Sequence, residues 1–168
     1  MPTMTFYNIQ SQVTLEGVPL VIDIRKAKDK PIKRGTLLDA YQPTGNDNQW
    51  WALVPSSAYP GWFTIQSKLT DLKSGEPLVI DIQKAKDKPV KSGTLLDVWT
   101  PTGNLNQLWQ FVEITPGWSV IQSKLTDLAG NPLVIDIHGA SKGAKKEGIP
   151  LDTLTENNKE NQLWMLAG

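Results

Sequence analysis

The sequence predicts an all-β protein of three equal units, each of four short strands, closed into a threefold barrel with a hairpin cap. Two observations lead there. The stretch Asn-Gln-x-Trp occurs three times, as Asn48-Gln49-Trp50-Trp51, Asn106-Gln107-Leu108-Trp109 and Asn161-Gln162-Leu163-Trp164. Its last tryptophans are spaced by 109 − 51 = 58 and 164 − 109 = 55 residues, and the segments upstream repeat with them. A fixed internal period means one supersecondary unit used several times, none able to bury its apolar face alone. The second observation is short runs of β-branched and alternating residues with no long helical period between them.

The units run over about 6–62, 63–118 and 119–168, within a single domain spanning 1–168. Each opens on an alternating segment: Tyr7-Asn8-Ile9-Gln10-Ser11, Thr64-Ile65-Gln66-Ser67-Lys68 and Val120-Ile121-Gln122-Ser123-Lys124. That pattern suits a half-buried strand. A turn holding Gly and Pro follows (Gly17-Val18-Pro19, Gly75-Glu76-Pro77, Gly130-Asn131-Pro132). The most uniform block comes next: Leu20-Val21-Ile22-Asp23-Ile24, Leu78-Val79-Ile80-Asp81-Ile82 and Leu133-Val134-Ile135-Asp136-Ile137. β-Branched residues dominate it, so it reads as a strand. With period two, Leu78, Ile80 and Ile82 share one face and Asp81 takes the other, in all three copies.

A polar loop leads to a third strand, in Thr36–Tyr41, Thr94–Trp99 and Ile149–Leu154. By the same parity Trp99 shares a face with Asp97 and not with Leu96 or Val98. An aromatic on the polar face points beyond core packing. A turn rich in Pro, Gly and Asn follows, and an Asn-Gln-x-Trp strand closes each unit. Units one and two are near copies: Leu20–Asp39 and Leu78–Asp97 differ only at Arg25/Gln83, Ile32/Val90 and Arg34/Ser92. The whole reads as a β-trefoil with pseudo-threefold symmetry.

Composition narrows the function. Lys and Arg number 17 and Asp and Glu 17, so net charge makes no case for nucleic acid or an anionic membrane. With no cysteine there is no disulfide and no thiolate metal site. The start Met1-Pro2-Thr3-Met4-Thr5-Phe6 carries neither a basic segment nor an apolar run, so no signal peptide is expected. The expected location is cytoplasmic, with release to act on extracellular glycans as the other route. No stretch approaches the roughly 20 apolar residues of a membrane span.

Three Gln-x-Trp motifs in register, each preceded by an Ile-Asp-Ile strand, resemble the ricin B-type β-trefoil lectins over essentially the whole chain. In that family Gln-x-Trp is chiefly structural. Each sugar site takes an Asp from the Val-Asp-Val-like strand, an aromatic platform on the next strand, and the Asn before the Gln. The resemblance therefore implies carbohydrate-binding residues Asp23, Tyr41, Asn48 and Gln49 in unit one, and Asp81, Trp99, Asn106 and Gln107 in unit two. Unit three offers Asp136, Asn161 and Gln162, with Leu154 where the aromatic should be. Asp39 and Asp97 occupy a position that adds a secondary polar contact. His138, two residues after Asp136, is a substitute for the missing platform or a surface-loop histidine. Galactose-type members read an axial hydroxyl with the Asp, so galactose or N-acetylgalactosamine is the expected sugar.

Each of these residues also has a plainer reading. The Asp residues can cap hairpin turns through backbone amides. Trp51, Trp109 and Trp164 are expected in the core, and Trp62 and Trp118 are expected to pack at the unit junctions. Trp50 is expected as exposed packing or an extension of site one. The lysine-rich loops, Arg25 to Arg34 and Lys84 to Lys91, are solvated tips or a surface for an anionic glycan. No aromatics interleave them, which counts against nucleic acid. One histidine cannot make a metal cluster, and no phosphate-binding glycine loop, zinc spacing or calcium loop is present. No catalytic residues, metal or cofactor are expected. The partners expected are glycans or glycoconjugates, with no membrane insertion, and the chain is expected as a monomer or homodimer. The rival readings are a β-trefoil protease inhibitor, a protein-interaction module, and a plant-polysaccharide (xylan-type) binding module.

Overall fold

The computed structural model describes residues 3–168; Met1 and Pro2, where the leader reading begins, lie outside the described residues. Twelve strands follow in three runs of four. They are β1 (Asn8–Leu15), β2 (Val18–Ile24), β3 (Leu38–Tyr41) and β4 (Trp51–Pro55); β5 (Phe63–Thr70), β6 (Pro77–Ile82), β7 (Leu96–Trp99) and β8 (Trp109–Thr115); β9 (Trp118–Thr126), β10 (Pro132–Ile137), β11 (Ile149–Thr155) and β12 (Trp164–Ala167).

The first and last strands of each run form a closed barrel. β4 pairs with β5, β5 with β8, β8 with β9, β9 with β12 and β12 with β1, all antiparallel. A bridge between Tyr7 and Trp51 closes the ring. Closure removes the exposed edges that an open sheet would present. The second and third strands of each run make hairpins β2–β3, β6–β7 and β10–β11 that cap one end. These hairpins touch across units: β3 pairs with β11, and bridges join Leu37 to Asp97 and Leu95 to Asp152.

The core is threefold, as the parity required. Leu20, Ile22 and Ile24 and their counterparts in β6 are fully buried in it, with Leu38, Leu96 and Leu151. Trp51, Trp109 and Trp164 have no exposed surface. Each buried indole N–H has a partner: Trp51 Nε1 donates to Ile22 O at 3.0 Å, Trp109 to Ile80 O at 3.1 Å and Trp164 to Ile135 O at 3.1 Å. The acceptor is always the residue just before the Asp of the second strand, so the repeated tryptophan fastens the strand that carries the repeated acid. Trp118 packs on a satellite cluster of Val120, Val134 and Leu163. Trp62 stands beside the Lys124 ammonium, 4.6 Å from the ring centre, and Trp50 is half-buried.

One expectation needs correction. Asn48-Gln49, Asn106-Gln107 and Asn161-Gln162 are not strand residues. They lie in single 3-10 turns (Asp47–Gln49, Leu105–Gln107, Glu160–Gln162), and the closing strand begins at the tryptophan. A 3-10 turn turns two consecutive polar side chains inward, which alternating strand geometry cannot do.

Candidate functional site

The repeated acids occur in pairs. Antiparallel register sets Asp23 opposite Asp39, Asp81 opposite Asp97 and Asp136 opposite Asp152. All six are almost completely buried. The 3-10 turn then closes on the first acid of each pair. Asn48 Nδ2 and Gln49 Nε2 donate to Asp23 Oδ1 at 2.9 and 3.0 Å. Asn106 and Gln107 do the same to Asp81 Oδ1, both at 3.0 Å. Asn161 and Gln162 donate to Asp136 Oδ1 at 2.8 and 3.1 Å. These acids accept side-chain amides, so they do not cap hairpin turns.

The glutamines are fully spent inside the protein. Gln49 also donates to Gln42 O at 3.1 Å and accepts from Thr44 N at 2.8 Å. Gln107 and Gln162 repeat the pattern, and all three have 0–1 % of their surface exposed. Gln49, Gln107 and Gln162 therefore hold the Asp in place and present no free polar atom to a ligand. This corrects their expected role as direct contacts.

What remains open in units one and two is a set of acceptors. Asn48 Oδ1, Asp39 Oδ1, Asn106 Oδ1 and Asp97 Oδ1 are buried and have no hydrogen-bond partner within the protein. A buried polar atom left unpaired costs about 1–3 kcal/mol, so a ligand donor at these positions gains that much. Each set lies at the floor of a cleft with an aromatic wall. Asp23, Asp39, Tyr41 and Asn48 line a cleft of about 630 Å³. Asp81, Asp97, Trp99 and Asn106 line one of about 370 Å³. Trp99 is 36 % exposed while its neighbours Leu96 and Val98 are fully buried, as strand parity required.

Sequence reading missed that neighbouring units complete these clefts. Gly35 of unit one borders the cleft of unit two, where its N–H donates to Val98 O at 2.7 Å. A Cβ on Gly35 would lie 3.5 Å from the Trp99 ring, and its φ of +90° disfavours any other residue. Arg34 stands 5.6 Å from the Trp99 ring centre, a cation–π contact that steadies the platform, and does not line the cleft. Lys146, Gly148 and Pro150 of unit three border the cleft of unit one. The nearby Glu147 carboxylate raises the phenol pKa of Tyr41. No single unit contains these pairs, so a reading taken unit by unit could not assemble them.

No family model matches the chain, and no curated protein matches it. Solved structures do. A designed threefold-symmetric protein, ThreeFoil, is 20% identical, with 97% of this chain and 98% of that one covered and a TM-score of 0.71. The exo-β-1,3-galactanase 1,3Gal43A of Clostridium thermocellum is 22% identical with a TM-score of 0.69; 99% of this chain aligns to only 31% of that chain. A ricin B-like lectin from Macrolepiota procera, solved with lactose, is 16% identical over 99% of this chain and 97% of that one, with a TM-score of 0.64. The fold is a β-trefoil. At these identities the likeness is one of fold.

Unit three of the β-trefoil departs from the other two. Leu154 is half-buried in the platform position. Asn161 Oδ1 is within 3.5 Å of Asn157 Nδ2, so its acceptor is already engaged. His138 is not a platform: its Nδ1 lies 2.9 Å from Asp152 Oδ2, and its side chain is otherwise exposed. The nearest cleft, about 580 Å³, is lined by His138 and the loop after it and reaches neither Asp136 nor Asp152.

His138 stands where unit one has Arg25 and unit two Gln83, and in the first two units this position bears on where the acid pair keeps its proton. In units one and two burial raises the pKa of both members of the pair, and two facing carboxylates hold one proton between them. Arg25 Nε lies 3.4 Å from Asp39 Oδ2 and makes Asp39 the anion. Burial, then the hydrogen bond and charge of Asp39, push Asp23 up to about 9. In unit three, burial followed by the facing Asp152 pushes Asp136 up to about 8. In unit two Gln83 brings no charge. Asp81, accepting two amides, stays the anion, and burial followed by Asp81 pushes Asp97 up to about 9.

A pH dependence follows. Between the ordinary value of 3.8 and about 9, the native state holds protons that the unfolded chain has released. Stability is therefore fully present below that window and falls as pH rises through it. Asp71 and Asp127, lowered by local hydrogen bonds, act oppositely and only where pH falls below the usual carboxylate range. The thermal midpoint should fall from about pH 5 to about pH 9. Asp97→Asn supplies an N–H in place of the acid O–H and should flatten that decline. An unchanged slope in a thermal scan series would mean that the pair shares no proton.

Proposed function

We propose that the protein is a non-enzymatic lectin that binds galactose- or N-acetylgalactosamine-type glycans at the clefts of units one and two. One observation carries this reading: a partly exposed aromatic ring shares each cleft with buried oxygen acceptors that have no partner in the protein. A pyranose has one face of C–H groups and an edge of hydroxyl donors. The ring of Tyr41 or Trp99 covers the first without demanding hydrogen bonds, and the Asp and Asn oxygens accept from the second. In unit one the free acid oxygen belongs to Asp39, the ionised member of its pair, and bonds to it are the strongest of these. Shallow clefts of this kind bind weakly one at a time, and two per chain raise the effective affinity through avidity.

Paired carboxylates invite a hydrolase reading, and their geometry opposes it. Glycosidases keep their two acids roughly 5–9.5 Å apart so that the scissile bond or a water fits between. Here the two acids of each cleft face each other directly across one hairpin and are buried, which leaves no such gap. The M. procera lectin's lactose is consistent with the proposal but belongs to that protein.

The test is a glycan array read with the wild type and with Tyr41→Ala/Trp99→Ala. Removing the rings is cleaner than removing Asp23 or Asp81, whose loss would orphan the Asn and Gln donors. Binding to terminal galactose or N-acetylgalactosamine that the double variant loses is expected. Binding that survives would place the site elsewhere, and no binding at all would favour a protein-interaction module.

A further inference from the structure

We propose that the two clefts are built for acidic sugars, whose sulfate or carboxylate group is held by lysines at the rim; this rests on the lectin reading above. The floor and the rim differ in polarity. The unpaired floor atoms of unit two, Asn106 Oδ1 and Asp97 Oδ1, are near oxygens that need donors, which hydroxyls supply. The rim is formed by Lys84 and Lys86, which carry only donors and positive charge. Lys26 and Lys28 repeat this at unit one. A ligand that satisfies both levels points hydroxyls inward and an anion outward. The acid pair of each cleft shares one proton, so two lysines exceed the single negative charge beneath them.

These lysines are not loose tips. The loop of unit one is tied to the turn carrying Asn48: Asn48 N donates to Lys28 O at 2.8 Å and Asp47 N to Asp29 Oδ1 at 2.8 Å. Unit two repeats the ties, Asn106 N to Lys86 O at 2.9 Å and Leu105 N to Asp87 Oδ1 at 2.8 Å. All four lysines also sit in left-handed backbone, with φ between 53° and 58°. That conformation is disfavoured for a residue with a Cβ, and glycine takes it freely. Unit three uses glycine at the first of the two places, where Gly139, at φ 67°, stands for Lys26 and Lys84, and it has Ser141 in place of Lys28 and Lys86. So the two units with an aromatic platform keep lysine against backbone preference, and the unit with Leu154 does not. Strained residues retained beside a cleft point to a role in it. Cleft two is the cleaner case, because Glu147 adds an opposing charge beside Tyr41 in cleft one.

The experiment compares lactose, sulfated lactose and sialylated lactose by calorimetric titration at low and at physiological salt. It uses the wild type and a variant with Lys26, Lys28, Lys84 and Lys86 all changed to Gly. Glycine suits the backbone at each site, so the variant should melt no lower than the wild type; Lys→Arg at the same positions is the charge-preserving control. The expected result is that one or both anionic forms bind about three- to tenfold tighter than lactose, the size of two exposed ion pairs. That advantage should shrink with added salt, vanish in the glycine variant and persist in the arginine variant. The two anionic arms tell sulfate from carboxylate. Equal binding of all three saccharides, or an anion preference the glycine variant keeps, would overturn the inference and leave the lectin reading standing. Binding of none of them would remove the galactose-type lectin reading and this inference together.

Discussion

Trp109→Ala lowers stability by about 3–5 kcal/mol, the cost of truncating a large fully buried side chain. For a chain of this size that corresponds to a fall in thermal midpoint of roughly 6–20 °C. Three losses combine. The indole has no exposed surface, so its removal leaves a cavity in the core. Its N–H no longer meets Ile80 O, which stays buried and unpaired. The strand carrying Asp81 then loses the anchor next to the acid. Binding at cleft two should weaken as a consequence, while cleft one, fastened by Trp51, keeps its own anchor. Thermal and denaturant unfolding measure the effect, and a midpoint within a degree or two of the wild type would contradict the assignment of this tryptophan to the core.

Trp99→Ala should do the reverse. The ring is partly exposed, and Leu96 and Val98 on the opposite face carry the packing of β7. Its removal takes away the platform of cleft two and its contact with Arg34, and leaves the core intact. The folded state should survive with unchanged circular dichroism and a midpoint shifted by only a few degrees. Sugar binding at cleft two should disappear, and binding at cleft one should continue through Tyr41. Loss of the fold would mean that Trp99 is a packing residue.

The two tryptophans show what could be read from sequence and why. Period-two alternation assigns Trp99 to the face of Asp97 and away from Leu96 and Val98, and the threefold repeat of Gln-x-Trp makes Trp109 part of a shared core. Both assignments need only local geometry and repetition. The 3-10 turns were not legible, because three residues carry no period to detect. The engagement of both ends of Gln107 was hidden for a related reason: it depends on Thr100 O and Thr102 N being brought beside it by that turn. Contacts between units lay furthest from view. Near-identical repeats say nothing about which loop of one unit meets which strand of another, so Gly35 beside Trp99 and Lys146 beside Tyr41 emerge only from the packed hairpin cap. The protonation of the acid pairs follows from register, Asp81 opposite Asp97, together with burial that no residue pattern reports.

Units one and two are proposed to hold one complete sugar cleft each, and unit three none. Calorimetric titration with lactose reads that number directly. Two sites per chain are expected in the wild type and one in Trp99→Ala. Three sites, or none, or two sites that persist without Trp99, would contradict the proposal.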